Sequence, residues 1–407
     1  MNGRLPEREW HDRIERLQEM LRRQGMDAFL VTQNIGLYYF TGSMQAGYAW
    51  IPAEGEATFY VRRSVDRASR ESVIRVVPIG SFKHFRETIA RDYGEISGSG
   101  RTEQLRIATE LDVLPAQIYL KLSEVLNADD NDIAIIDGSS LVRTVRMIKS
   151  PYEIGRIEAA ADAAAQALEL ALDDLKEGVT ELEWMARLER EIRLRGHIGL
   201  MRMRGYNQSV ITGMVGSGAA AAEPTYFDGP AGGRGLSASV PQSVSRKVIV
   251  RDEPILIDIG CCIDGYVIDQ TRTAVIGRLD DDLEEAYAVS ERIIRSAEAS
   301  MRPGAICEAI YSDALANAAQ AGLSNHFMGY GADQVKFLGH GIGLEIDEWP
   351  VLAKGFKTPL EAGMVLAVEP KFTFPGRGVV GIENSYVITE NGPRALTRSP
   401  EGIIRLN

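Results

Sequence analysis

Residues 254–277 read PILIDIGCCIDGYVIDQTRTAVIG, and this stretch decides the architecture of the C-terminal half. Two apolar runs flank Asp264-Gly265, a pair suited to the positive backbone angles of a two-residue hairpin turn. Asp258 and Asp269 are eleven positions apart. An odd separation across a two-residue loop puts both side chains on one face of the ribbon. Facing carboxylates inside an apolar sheet repel, and their burial costs several kcal/mol unless something neutralises them. A divalent cation does so directly. The alternative is a pair of aspartates on a solvated face, and the neighbours Ile257, Ile259, Val267 and Ile268 argue against it.

Residues 363–392, GMVLAVEPKFTFPGRGVVGIENSYVITENG, supply a second pair, Glu369 and Glu383, on strands that pair around a bend at PGRG. Their even separation calls for a three-residue loop or a bulge to bring them opposite one another. Between the two hairpins lies FLGHGIGLEIDEWP (337–350), in which glycines flank His340. Glycine on both sides permits the close backbone approach that a ligand histidine in a tight site needs. A lone histidine is more often structural, but four candidate carboxylates around this one favour a ligand. One nitrogen among several carboxylate oxygens is a hard donor set that suits Mn, Fe or Co and tolerates Zn, and it is unlike a thiolate zinc site. Two divalent ions are expected, with manganese first. Bridging carboxylates would hold them roughly 3.5–4 Å apart, close enough to share a hydroxide that attacks a carbonyl. The chemistry expected is amide hydrolysis or something near it.

The rest of the chain bounds this reading. Its 407 residues hold enough apolar material for two full cores, and 45% hydrophobic with 25% charged residues is an ordinary globular balance. A net charge of −12 argues against a nucleic-acid partner, which needs a dense basic face. No apolar run is long enough to span a membrane. The N-terminus is charged throughout and lacks the apolar core of a signal peptide, while Trp10, Ile14, Leu17 and Leu21 recur at helical spacing up to Gly25. Cys261, Cys262 and Cys307 are an odd set with two adjacent members, so a disulfide framework is not expected and a reducing cytoplasm fits.

The first domain is expected over 1–150 as a compact α/β unit. Its strand-like runs are DAFLVT, NIGLYYFTG, YAWIPAEGE and ATFYVRR, and a helix falls near 113–126. The second domain is expected over 151–407. Pro151 stands in the first turn of a long alanine-rich helix, and Thr180 with Glu183 has the spacing of a capping box. Two helix pairs (151–176 with a helix starting at Thr180, and 281–301 with a helix through about 321), each leading into strands, suggest an α+β fold with a pseudo-twofold repeat and a site between its halves.

LIDIG…GYVIDQTRT, GHGIGLE, VLAVEP and GIENSYVITENG resemble the pita-bread metallopeptidases: methionine aminopeptidase, aminopeptidase P, prolidase and the related creatinase. The region before KSPYEI resembles the extra N-terminal domain of the aminopeptidase P, prolidase and creatinase branch. The resemblance implies that Asp258, Asp269 and Glu383 hold one ion and that Asp269, His340, Glu369 and Glu383 hold the other. It also implies that Glu369 is the general base, with His340 beside it in the catalytic set, that Thr271 supports the cluster, and that the protein is a homodimer. Xaa-Pro aminopeptidase or dipeptidase activity on a small peptide follows as the expected function.

Two departures complicate the substrate. Proline-specific members carry two further histidines, yet no histidine lies between His197 and His326 here, and Ile346-Asp347-Glu348 follows GHGIGLE. An ionised aspartate accepts hydrogen bonds and cannot donate to an oxyanion. The alternative function is therefore a non-peptidase hydrolase or lyase of a small amine, guanidino or betaine-like compound, with Asp347 and Glu348 facing a cationic group. A binding module without turnover ranks last, because all five ligands are present. Trp349 lies near enough to His340 to line the pocket with Asp347. The Gly- and Ala-rich segment 213–235 is either a surface loop or a pocket wall.

Overall fold

The N-terminal periodicity forms α1 (Glu7–Arg23), which buries Ile14, Leu17 and Leu21 and leads into Gly25 at φ +62°. The computed structural model describes residues 5–93, 104–127, 133–209 and 212–407. The chain divides into two compact units, Met1–Arg146 and Met147–Asn407.

In the first unit α1 is followed by β1 (Ala28–Val31), α2 (Asn34–Thr41), β2 (Gly47–Pro52), β3 (Thr58–Val61), α3 (Val65–Glu71) and β4 (Arg75–Pro78). Then come α4 (Phe85–Tyr93), β5 (Leu105–Thr109), α5 (Ala116–Leu126), β6 (Ile133–Asp137) and α6 (Ser139–Met147). One mixed sheet runs β4-β3-β2-β1-β5-β6, with β1 antiparallel to β2 and parallel to β5. The all-apolar β1 is buried along its length, as a central strand with both faces covered must be. The segment NIGLYYFTG departs from expectation, since residues 34–41 are helical and not a strand. Its aromatic residues favour a strand, but its ends favour a helix. The Gln33 side chain accepts the Gly36 N–H at 2.8 Å, and Gly42 closes the helix at φ +77°.

The second unit contains α7 (Pro151–Leu172), α8 (Glu181–Leu194), β7 (Gly213–Ser217), β8 (Ile255–Ile263), β9 (Tyr266–Ile276), α9 (Asp281–Ser300) and α10 (Cys307–Gln320). It continues through β10 (Phe337–Gly341), β11 (Glu348–Ala353), β12 (Val365–Val368), β13 (Lys371–Phe374), β14 (Gly378–Gly381), β15 (Asn384–Thr389), β16 (Gly392–Ala395) and β17 (Ile404–Leu406). Its sheets run β17-β9-β8-β7, β11-β10-β12-β15-β16 and β13-β14. This is the pita-bread α+β architecture, with one helix pair before the β8–β9 hairpin and a second before the strands that end in β15.

Capping boxes start both α7 (Ser150 with Glu153) and α8 (Thr180 with Glu183), and each satisfies two otherwise orphaned N–H groups. The small side chains Ala160, Ala161, Ala164 and Ala167 are buried and let α7 lie close over β8 and β9. Cys261, Cys262 and Cys307 are free, buried thiols, and burial pushes the first two up to about 12. Among the described residues no helix is long and apolar enough to cross a membrane.

Glu181, the first residue of α8, is fully buried and joins Ser217 to Ser245. One carboxylate oxygen accepts the Ser217 N–H (2.8 Å) and hydroxyl (2.9 Å), and the other accepts the Ser245 N–H (2.8 Å) and hydroxyl (2.6 Å). Hydrogen bonds to a buried charge are among the strong ones. Glu181→Ala is expected to lower unfolding stability by about 3 kcal/mol or more in urea titrations; a loss below about 1 kcal/mol would contradict this role.

Candidate metal centre

The Asp264-Gly265 turn, at φ +50° and +93°, sets the register of the β8–β9 hairpin. Asp258 stands opposite Thr271, and Gly260 opposite Asp269. Both aspartates therefore project from one face, offset by one diagonal step and not directly across. The second hairpin closes through the three residues Pro375–Arg377, which pair Phe374 with Gly378 and Lys371 with Gly381. Because β12 and β15 keep the same register, with Val368 opposite Asn384, Glu369 and Glu383 fall opposite one another in the gap between the two ladders.

The hairpins meet at an isolated bridge. The Glu383 N–H donates to the Thr271 carbonyl (3.1 Å), and the Thr271 hydroxyl donates to Glu383 Oε2 (2.7 Å). His340 lies on β10 between β11 and β12. A Cβ at Gly339 would sit 2.2 Å from the Ala367 carbonyl, and one at Gly341 would sit 2.3 Å from that of Trp349. Only glycine lets these strands close around the histidine.

The five residues converge in two overlapping groups. Ligand atoms of Asp269, His340 and Glu383 lie within 4.8 Å of one another, as do those of Asp258, Glu369 and Glu383. His340 Nε2 is 3.5 Å from Glu369 Oε1, while Nδ1 is 3.2 Å from the Gly341 carbonyl. With Nδ1–H donating there, Nε2 is the nitrogen turned to the carboxylates. The resemblance implies that Glu369 joins Asp269, His340 and Glu383, and it lies beside His340 as well as in the group with Asp258. A residue that the sequence reading passed over also sits among these side chains. Lys371 Nζ lies 2.6 Å from Glu369 Oε2, 2.9 Å from Asp258 Oδ2 and 3.3 Å from Glu383 Oε2, and it draws the three together. Strand alternation could have found it, because Lys371 is two residues from Glu369.

The electrostatics follow from burial and crowding. Burial raises the carboxyls of both Asp258 and Asp269. The charge of Glu383 adds to this at both, and the Asp258 charge adds further at Asp269. Burial would lower His340, but the hydrogen bond and charge of Glu369, with Asp347 and Asp269, outweigh it and lift the imidazole to about 10. Burial would likewise lower Lys371, whereas Asp258, Glu369 and Glu383 hold the ammonium well above its usual range.

Asp258, Asp269, His340 and Glu369 open onto a cavity of about 280 Å³, with Glu383 buried behind them. Asp347 lines it, together with Asp228, Met201, Met203 and Phe227. The Gly- and Ala-rich segment contributes Phe227 to Gly232, so this part of it is a pocket wall. Trp349 does not line this cavity; its ring packs edge-on to Phe356. Glu348 does not line it either, because its carboxylate receives Lys149 Nζ at 3.1 Å. Asp228, which the sequence reading missed, has its carboxyl raised by burial, then by the charges of Asp347 and Glu369.

Arg272, next to Thr271, fixes the Glu383 strand from behind. Its buried guanidinium donates to the carbonyls of Thr271 (2.7 Å), Glu383 (2.8 Å), Ser399 (2.7 Å) and Pro400 (2.7 Å), and to Asn384 Oδ1 (2.9 Å).

The sequence profile of Metallopeptidase family M24 matches residues 155–390, and that of the Creatinase/Prolidase N-terminal domain matches residues 13–148. A Xaa-Pro dipeptidase of Pyrococcus furiosus is 28% identical over 395 residues, spanning 97% of this chain and 99% of that protein. Among solved structures, the prolidase from Pyrococcus horikoshii OT3 is similar with a TM-score of 0.78 at 27% identity, covering 96% of this chain and 99% of that one. A Xaa-Pro dipeptidase from Bacillus anthracis gives 0.80 at 28% identity, covering 98% and 100%.

An ammonium cannot reproduce the planar fork of Arg272. Arg272→Lys is expected to cost about 2–3 kcal/mol through the buried carbonyls it leaves unpaired. Thermal melts check this, and a parental melting temperature would contradict it.

Proposed function

The chain belongs to metallopeptidase family M24, and from that premise we propose that it hydrolyses the amide bond of a small Xaa-Pro-like substrate at a metal centre of Asp258, Asp269, His340, Glu369 and Glu383. The observation that carries the proposal is the convergence of these five residues at the base of one cavity.

The donors fit a divalent ion. They are hard and oxygen-rich, with one imidazole nitrogen. Glu383 Oε1 is buried without a hydrogen-bond partner, which is the condition of a carboxylate oxygen reserved for a cation. Asp269, His340 and Glu383 would hold one ion, and the resemblance implies a second, with manganese the first expectation. A bound ion supplies Lewis acidity, polarising the scissile carbonyl and acidifying water. A homodimer in a reducing cytoplasm completes the reading, supported by the resemblance and by the three free thiols.

The protein's own groups divide the remaining work. Thr271 fixes Oε2 of Glu383 and leaves Oε1 without a donor. Glu369 opens onto the cavity and takes up the proton of the attacking water, then returns one to the departing nitrogen. Asp228 and Asp347 bring two carboxylates to the cavity wall beside Met201, Met203 and Phe227. They suit a substrate with a cationic amine on a short apolar body. This favours a second reading in parallel, a non-peptidase hydrolase of a small amine, guanidino or betaine-like amide. Among the described residues His340 is the only imidazole lining the cavity, so neither further histidine of the proline-specific pattern is there to assist an oxyanion.

Two experiments test these readings. Glu369→Gln is expected to cut turnover by about a hundredfold or more while the fold remains, because an amide cannot accept the proton. Activity within about tenfold of the parent would remove Glu369 as the base. Asp347→His should raise or preserve Xaa-Pro cleavage and damage turnover of a cationic amide, compared at equal metal loading. Efficient Xaa-Pro cleavage by the parent that falls in Asp347→His would instead leave the plain peptidase reading standing.

A further inference from the structure

Lys371 is fully buried, and its ammonium lies within 3.3 Å of every carboxylate in one of the two ligand groups. Its partners are Asp258, Glu369 and Glu383, the same three carboxylates whose oxygens converge there. The position is built into the sheet. Strand alternation places Lys371 on the face of Glu369, and pairing sets it opposite Gly381. A Cβ at Gly381 would lie 2.7 Å from Lys371 Cγ and 2.6 Å from the Pro370 carbonyl. The strand opposite is thus relieved of a side chain where the lysine stem passes.

A cation bound by those three carboxylates would sit about 2.0–2.2 Å from their oxygens. The ammonium already stands in hydrogen-bond contact with all three, so the two cations compete for one place. The other group, Asp269, His340 and Glu383, has no such occupant among the described residues, and Glu383, which the two groups share, keeps Oε1 without a hydrogen-bond partner.

Resting on the metal-centre reading above, we infer that Lys371 Nζ takes the place of one of the two ions, so that the centre takes a single divalent metal at Asp269, His340 and Glu383. Glu369 is then oriented by an ammonium and not by a metal. Lys371 thereby becomes a positioning residue for it.

The test is metal stoichiometry in the full-length protein, read by equilibrium dialysis against Mn(II) with elemental analysis and by electron paramagnetic resonance. The parent is expected to saturate at one equivalent, with the spectrum of an isolated ion. Lys371→Ala is expected to saturate at two, with a spin-coupled pair, and to regain on metal loading thermal stability lost without it. Asp269→Asn is expected to bind none. A parent that saturates at two overturns the inference and leaves the metal-centre reading intact. Folded Lys371→Ala that stays at one also overturns it. Should that variant not fold, the parent's saturation value still decides. A parent that binds no metal overturns the metal-centre reading, and the inference falls with it.

Discussion

Four carboxylates brought to the base of one cavity repel each other, and the catalytic unit is arranged around that repulsion. In a low-dielectric interior such groups persist as anions only when cations and hydrogen-bond donors surround them. Here the compensation is layered. Lys371 meets three of the four directly, His340 approaches Glu369, and Thr271 donates to Glu383. What this leaves over is a carboxylate oxygen of Glu383 without a donor, on a residue grouped with Asp269 and the imidazole as well as with Asp258 and Glu369.

Holding like charges together also demands a stiff frame. The two hairpins are locked by backbone pairing at Thr271 and Glu383, and Arg272 gathers the carbonyls on both sides of that junction. Further out, Glu181 joins Ser217 at the end of β7 to Ser245, and Gln242 and Ser243 in the segment leading to it line the cavity. The arginine and the buried glutamate both lie outside the cavity lining, yet the geometry of the carboxylates depends on what they hold. Function and stability are coupled here through shared backbone contacts.

Much of this was legible in sequence because hairpin arithmetic is strict. A two-residue turn fixes the face of Asp258 and Asp269, and the even separation at Glu369 and Glu383 calls for a three-residue loop or a bulge, of which the loop is found at 375–377. Glycines beside His340 marked a close approach that the strands do make. Where reading failed, local signals competed with context. The aromatic run at 34–41 looks like a strand, but its two caps decide for a helix. Trp349 and Glu348 follow the histidine closely in sequence, yet one packs on Phe356 and the other is claimed by Lys149, a partner 199 positions away. Asp228 gave no periodic signal because it lies in irregular chain. Lys371 carried a readable one, two residues from Glu369, and the sequence reading did not take it up.

The central claim is that the carboxylates form a metal centre whose open ligand group is Asp269, His340 and Glu383. Crystals grown with Mn(II) and measured on both sides of the manganese absorption edge test it most directly, because the anomalous difference map locates the ion independently of activity. The account predicts a peak between His340 Nε2, Asp269 and Glu383 Oε1. Metal-loaded crystals with no anomalous density within coordination distance of those three side chains would contradict it.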